Sequence, residues 1–385
     1  MRDKNQKRII FSFFSGSGFL DLGFEKKGFD IRFVNEVHMP FLNAYIYSRE
    51  RMGLKKPVYG HHPESIEEYT AGKKRNELRH LVKQSKNEGL VGFIGGPPCP
   101  DFSVAGKNIG HTGDNGRLTK EFVTLISTHS PHFFFFENVK GLWKTEKHRA
   151  FYDEMKEILI NNNYILTDYL ANSLEFGVPQ ERDRIMLFGI KKSLLSKKEQ
   201  RNIDVDFPWH KYAKFEKGTI PEKKLWPQKE LYISESKKPY PLQIENYLEL
   251  TVNHWFEKND VSNHPNSIHF FKPRQGLMKF KTIQEGDNSG KSFKRLHRWR
   301  YSPTTAYGNN EVHLHPYRDR RLSAAEAMAL QSLPKEFELP ADMSLTNMFK
   351  TIGNGVPFLL SEAIAQSISD YINVISKKQY NSGTK

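Results

Sequence analysis

Short, continuously apolar segments alternate with helical stretches through the first 190 residues, and this pattern constrains the fold more than any other feature. Arg8–Phe14, Ile31–Asn35, Val91–Ile94, His132–Phe136 and Arg184–Ile190 read as strands, with Gly18–Lys27 as the first helix. Apolar runs without polar alternation suit strands covered on both faces. Their alternation with helices predicts a doubly wound α/β sheet. Past Ile190 the texture changes. Lys191–Arg201 is a run of charge, and the residues after it mix prolines, histidines and tryptophans with little periodicity. This predicts a second, smaller, irregular domain. Helical spacing returns over Leu322–Leu333, where Ser323 and Glu326 are spaced for a capping box, and over Val356–Ile372 after the turn Gly353-Asn354-Gly355.

Composition narrows the function classes. No apolar run approaches the roughly 18 residues that cross a bilayer, and the N-terminal MRDKNQKRIIFSFF lacks a cleavage site, so a cytoplasmic protein without membrane contact is expected. Cys99 is the single cysteine, which excludes an intrachain disulfide and a cysteine-based zinc cluster. The 58 Lys+Arg against 44 Asp+Glu favour a polyanionic partner. Between Phe270 and Tyr301 nine of these cations stand against Glu285 and Asp287: Lys272, Arg274, Lys279, Lys281, Lys291, Lys294, Arg295, Arg298 and Arg300. Phe280, Phe293 and Trp299 lie between them, a pattern suited to tracking phosphates and contacting bases.

Four short motifs carry chemistry. The strand-to-helix turn Phe14-Ser15-Gly16-Ser17-Gly18-Phe19 lets backbone approach a ligand, and Glu36 follows Phe14 by 22 residues, where an acidic side chain grips a ribose hydroxyl. The turn lacks the full dinucleotide fingerprint, so an adenosine ligand other than a nicotinamide cofactor is favoured. Gly95-Gly96-Pro97-Pro98-Cys99 follows a strand, which places Cys99 where α/β sheets bind ligands; a small buried hydrophobe is the bland alternative. Glu137-Asn138-Val139 closes a run of four phenylalanines, either as an ordinary strand end or as a partly desolvated carboxyl able to hold a proton. In Gln180-Glu181-Arg182-Asp183-Arg184, an extended backbone puts Gln180, Arg182 and Arg184 on one face, facing either solvent or a partner such as Glu137.

The order of these motifs, continued by Arg321-Leu322-Ser323-Ala324-Ala325-Glu326 and Gly353-Asn354-Gly355-Val356, resembles the cytosine-C5 DNA methyltransferase family over essentially the whole chain. Pro303–His315, with its Pro-Thr-Thr and His-Pro, is similar too. The resemblance implies a Rossmann-like, S-adenosylmethionine-dependent methyltransferase sheet with a target-recognition domain, and S-adenosyl-L-homocysteine as product. Phe14 would stack on adenine, Gly16 and Gly18 would lie near the methionine part, Glu36 would take the ribose, and Ser15, Ser17 and Phe19 of the same turn would also bind the cofactor. Val37 would lie against adenine, with Ser65 and Ile66 near its amine and Glu64 as the alternative. Pro98, Asn354 and Val356 would complete the site.

The same resemblance makes Cys99 the nucleophile at C6 of a flipped-out cytosine, with Glu137 on the N3/N4 edge and Arg184, supported by Arg182, on the O2 side. Ser103, Lys107, Arg117, Lys272, Arg274, Lys294, Arg295, Arg298 and Arg300 would contact double-stranded DNA. Pro100-Asp101 and Phe19 depart from the family's commoner residues. The expected organisation is a catalytic domain over 1–194, recognition over 195–318, a return segment over 319–375 whose last helix completes the catalytic domain, and a flexible tail over 376–385. No metal is expected. The protein would be a monomer protecting host DNA in a bacterial restriction–modification system, alongside a cognate endonuclease. A transfer-RNA cytosine-C5 methyltransferase and a catalytically silent DNA-binding paralogue are the competing readings.

Overall fold

The computed structural model describes residues 7–98, 114–144, 146–216, 218–273, 277–290, 292–305, 307 and 312–382. Seven strands form one sheet: β1 (Lys7–Phe13), β2 (Asp30–Asn35), β3 (His61–His62), β4 (Gly89–Gly95), β5 (Phe133–Val139), β6 (Tyr164–Asn172) and β7 (Asp183–Lys191). Their order is β3-β2-β1-β4-β5-β7-β6, and β7 alone among the described strands runs antiparallel, to both β5 and β6.

The apolar runs are explained by burial on both faces. One face packs Ile10, Val34, Ile94, Phe133 and Phe135 under α1 (Phe19–Lys26), α2 (Met39–Arg51) and, at the far end of the sequence, Leu360, Ile364 and Ile368. The other packs Phe11, Phe13, Phe93, Phe134 and Phe136 under α3 (Glu67–Thr70), α4 (Arg75–Lys86), α5 (Asp114–His129), α6 (Gly141–Lys144) and α7 (Glu146–Asn161). The phenylalanines at 133–136 therefore divide two and two between the layers, each worth about 1.5–3 kcal/mol of burial.

Three corrections to the expected organisation follow. The charged run, expected to lead into the second domain from residue 195, leads into α8 (Lys197–Asp206), started by a Ser196–Glu199 capping box. Ile203 of this helix, with Leu195, Phe207 and Trp209, enters the core of the first sheet face, so the sheet's own packing extends past 194 to Trp209. Second, α9 (Val252–Lys258) and α10 (Leu277–Thr282) precede α11 (Ala324–Leu330) and α12 (Leu345–Asn354), and α9, α11 and α12 share a core with Phe19, Leu22 and Phe41. The middle of the chain is thus anchored on the outside of α1 and α2. Third, α13 (Phe358–Ser382) runs into the expected tail, because no glycine or proline interrupts it.

The capping box at Ser323 and Glu326 is formed as the spacing predicts. Helix α13 rests directly on α1: Ser361 Oγ donates to Leu20 O at 2.6 Å, and a Cβ on Gly23 would lie 2.2 Å from that hydroxyl. The return of the chain to the first layer therefore needs a glycine there.

Trp209 packs tilted against Phe207, ring centres 4.4 Å apart, and donates from its indole to Thr167 Oγ1 at 3.1 Å. If residues 195–209 belong to the sheet's core, Trp209→Ala lowers the stability of the main unfolding transition by about 3–5 kcal/mol in urea titration. An unchanged midpoint would show that this segment is a detachable linker.

Candidate active site

The carboxyl ends of β1, β2, β4 and β5 gather the functional side chains. The sheet's connections diverge between β1 and β4, paired up to Phe13↔Gly95, and such a switch point opens a crevice for a ligand. The turn after β1 is held in left-handed conformations at Phe14 (φ 52°), Gly16 (φ 55°) and Gly18 (φ 82°). Buried Arg49 of α2 braces it from below. Its Nη2 donates to Gly18 O at 2.8 Å and pairs with Glu25 at 3.0 Å, and its guanidinium lies 3.6 Å from the centre of the Tyr45 ring. A Cβ at Gly18 would fall 2.3 Å from Arg49 Nη1, so this position is required to be glycine by the brace.

Glu36, 9% exposed, accepts from Gly16 N at 2.9 Å and His38 N at 2.8 Å. Burial raises its pKa, while these two backbone donors oppose the rise by stabilising the carboxylate. Next to it Val37 is 60% exposed, and the buried Ser15 Oγ has no hydrogen-bond partner among the described residues. A preoriented carboxylate, an apolar platform and an unsatisfied hydroxyl at one switch point fit the ribose and adenine of S-adenosylmethionine.

The other expected cofactor residues are placed less uniformly. Phe14 is half-buried and meets Phe122 edge-on at 6.1 Å. Ser17 Oγ lies 2.7 Å from Thr351 Oγ1 of α12. The ring of Phe19 does not face the crevice: it is buried against Phe337 and beside Gly355, because the helix turns it into the core shared by α9, α11 and α12. Ile66 is buried ahead of α3, Ser65 Oγ donates to Glu67, and the Glu64 carboxylate is taken by Lys74 and Tyr69. Pro98 and Asn354 are exposed, whereas Val356 is buried with the first sheet face.

On the next strands, Arg184 of β7 sets its Nε 2.7 Å from Glu137 Oε1 of β5. Both side chains are largely buried, and a Cβ on Gly96 would lie 2.9 Å from Glu137 Oε2. Glycine at 96 thus lets the backbone that leads toward Cys99 pass against the carboxylate. Arg182 is fully buried, with Nη1 3.5 Å from both Gln180 Oε1 and Thr305 O, while its Nε and Nη2 have no partner among the described residues. Burial, and after it the charge of Arg184, push its pKa well below the ordinary arginine value. Unpaired donors of this kind call for an acceptor brought by a ligand. Cys99, Ser103, Lys107 and Arg274 lie outside the described residues.

Two of the expected DNA contacts are corrected. Arg295, 0% exposed, donates to the carbonyls of Ile283, His315, Arg318 and Phe280 and lies over the Tyr232 ring. Arg298, 3% exposed, forks onto Glu285 at 2.8 and 2.9 Å and also binds Ser236. Both hold the irregular region together, which has few regular backbone ladders to do so, and Phe280 is likewise buried beneath them. Lys272 is exposed, Lys294 and Arg300 are half-buried, and exposed Arg117 is paired with Glu67. Sequence reasoning missed Thr305 and Gln331, both fully buried beside Gln180; the Pro-Thr-Thr segment was the available signal for the first.

A sheet of this strand order, with a buried carboxylate at its switch point, has the Rossmann-like fold of S-adenosylmethionine-dependent methyltransferases. The family model for C-5 cytosine-specific DNA methylase matches residues 9–370, and the chain belongs to that family. It is 53% identical to the Type II methyltransferase M.NmeDI of Neisseria meningitidis serogroup C, over 97% of this chain and 86% of that protein. It is 26% identical to the Type II methyltransferase M.MthTI of Methanothermobacter thermautotrophicus, over 93% and 96% of the two chains. Among solved structures, an E. coli protein described as a prophage-encoded DNA modification methyltransferase matches with a TM-score of 0.64 and 21% identity, covering 95% of this chain and all of that one. The S. pombe Dnmt2 methyltransferase matches with a TM-score of 0.58 and 12% identity, over 96% and 99%. These structural likenesses speak to the fold. No helix among the described residues is long and apolar enough to cross a membrane.

Burial alone would raise the pKa of Glu285, but the Arg298 fork outweighs it and holds the carboxylate below its ordinary range. A depressed folded-state value contributes stability above the unfolded carboxylate pKa, and that stability is lost as pH falls through the folded value. Arg298→Met should therefore cost about 3–5 kcal/mol at neutral pH, with the gap to wild type narrowing on acidification, and should leave duplex affinity per folded molecule unchanged. Selective loss of DNA binding at wild-type stability would restore it as a DNA contact.

Proposed function

We propose that Cys99, Glu137, Arg182 and Arg184 carry out the cytosine-C5 methylation of DNA that defines this family. The observation that supports the reading best is the Glu137–Arg184 pair on β5 and β7, packed over Gly96 at the same sheet edge as Glu36. C5 of cytosine is a poor nucleophile, and its carbon is hidden in the duplex, so the base is flipped out first. The Cys99 thiolate then adds to C6, and the electron pair of the C5–C6 double bond shifts to C5. Glu137 binds the N3/N4 edge and favours protonation at N3, while Arg184 orients that carboxylate and Arg182 offers its unpaired donors to the O2 side. Bound S-adenosylmethionine supplies an electrophilic methyl group. Once C5 carries the methyl, loss of its proton to water expels Cys99 as thiolate and restores the ring.

Phe14, Gly16, Glu36 and Val37 would hold the cofactor, with Asn354 closing it from the end of α12. Residues from about 210 to 318 form the target-recognition region, where Lys272, Lys294 and Arg300 remain as candidate contacts to double-stranded DNA. We assign no metal to the protein. Glu230, Glu285 and His297 do bring ligand-type atoms within 4.8 Å of one another. His297 Nδ1, however, accepts from Trp299 N, which leaves Nε2 as the protonated nitrogen, 2.9 Å from Glu230, and Lys238 and Arg298 already balance the carboxylates. In the cell we place the protein in the cytoplasm as a monomer, protecting host DNA against a cognate endonuclease.

Methyl transfer from labelled S-adenosylmethionine to duplex DNA tests the assignment. Wild type should label C5, Cys99→Ser should abolish transfer, and Glu137→Gln should lower kcat by about 10²–10⁴. Undiminished transfer by Cys99→Ser would overturn it.

A further inference from the structure

Buried neutral side chains join the two halves of the active site. Ser302 and the backbone either side of it run beside the approach to β7: Ser302 N donates to Pro179 O and Glu181 N to Ser302 O, each at 2.9 Å. Behind this seam Gln180 Oε1 accepts from Thr305 N and Thr305 Oγ1, both at 3.2 Å. Gln331, at the end of α11, then uses both donors of one amide nitrogen, on Thr305 Oγ1 at 3.1 Å and on Ile352 O of α12 at 2.5 Å. Helix α12 continues the path in both directions. Thr351 reaches Ser17 of the cofactor turn, and a Cβ on Gly353 would lie 3.0 Å from Tyr307 N and 3.2 Å from Thr305 O. Gln180, Thr305 and Gln331 are all 0% exposed, so water offers them no substitute partner.

We infer that Gln331 is a positioning residue that ties the cofactor-closing helix α12, through Thr305 and Gln180, to the target-base arginine Arg182. The inference rests on the proposed function of Arg182 and of the cofactor turn. Its physical content is that Thr305 cannot move without breaking its bonds to Gln180 and Gln331 together. The Arg182 guanidinium, whose hydrogen bonds among the described residues are to Gln180 and Thr305, moves with them. A ligand that settles α12 against Ser17 therefore also settles the guanidinium that receives the base. By thermodynamic linkage the base must favour the cofactor by the same factor.

The test measures S-adenosylhomocysteine affinity with and without saturating duplex DNA, alongside methyl transfer and unfolding, for wild type, Gln331→Met, Thr305→Val and Thr305→Ser. Wild type should methylate and bind the product more tightly with DNA present. In Gln331→Met and Thr305→Val that enhancement should fall roughly fivefold or more, with affinity in the absence of DNA nearly kept. Thr305→Ser, which retains the hydroxyl, should behave as wild type. A merely structural role would weaken binding equally with and without DNA and leave the ratio intact, and that result would overturn the inference. So would a wild type that methylates without any enhancement. Should Gln331→Met fail to fold, Thr305→Val decides alone. A wild type that transfers no methyl group to DNA would overturn the proposed function and the inference with it.

Discussion

An antiparallel strand begins at the edge where its parallel neighbours end, and the active site depends on this reversal in β7. Entering between β5 and β6 in the opposite sense, β7 brings Gln180, Arg182 and Arg184 to the carboxyl edge, where β5 has just delivered Glu137. A parallel strand in the same slot would have carried these residues to the far edge of the sheet. The pairing of Val139 with Arg184 sets the diagonal that lets the guanidinium reach back to Glu137. Gly96, on the neighbouring side, lets the backbone pass this carboxylate where a Cβ would lie 2.9 Å from Glu137 Oε2.

Charge and hydrogen bonding divide the work of holding the molecule. Where regular secondary structure is sparse, buried ions bind the irregular region to itself: Arg298 with Glu285 and Arg295 with a ring of carbonyls. Between the cofactor turn and the base pocket the connections are neutral amides and hydroxyls instead. Neutral groups avoid the desolvation of extra charge next to an arginine that is already unpaired. Glu36 is the intermediate case, a buried carboxylate kept serviceable by two backbone donors and no cation in contact.

Much of the fold was readable before any coordinates. Strands covered on both faces leave unbroken apolar runs, and Ser323 with Glu326 marks the start of α11 because a capping box is a local arrangement. Local pattern failed where a side chain's role depends on distant partners. Arg295 and Arg298 have the spacing of a nucleic-acid surface, yet their acceptors, from Ser236 to Arg318, are remote in sequence. Phe19 follows a cofactor turn but is claimed by Phe337. The segment 195–209 reads as part of the second domain because its few apolar residues are spaced among lysines and glutamates, though they close one face of the sheet.

The sequence by itself determined the chemistry: one cysteine after a strand, a carboxylate after four phenylalanines, and two arginines two residues apart, each in family order. Side-chain identity and strand-end position are local properties, so they survive without the fold. Only the tertiary structure decided which charges face one another, that Arg182 keeps unused donors among the described residues, and that Thr305 and Gln331 join α12 to Gln180. Those assignments depend on which remote segment arrives beside a group once both are removed from water, and no run of neighbouring residues encodes that arrival.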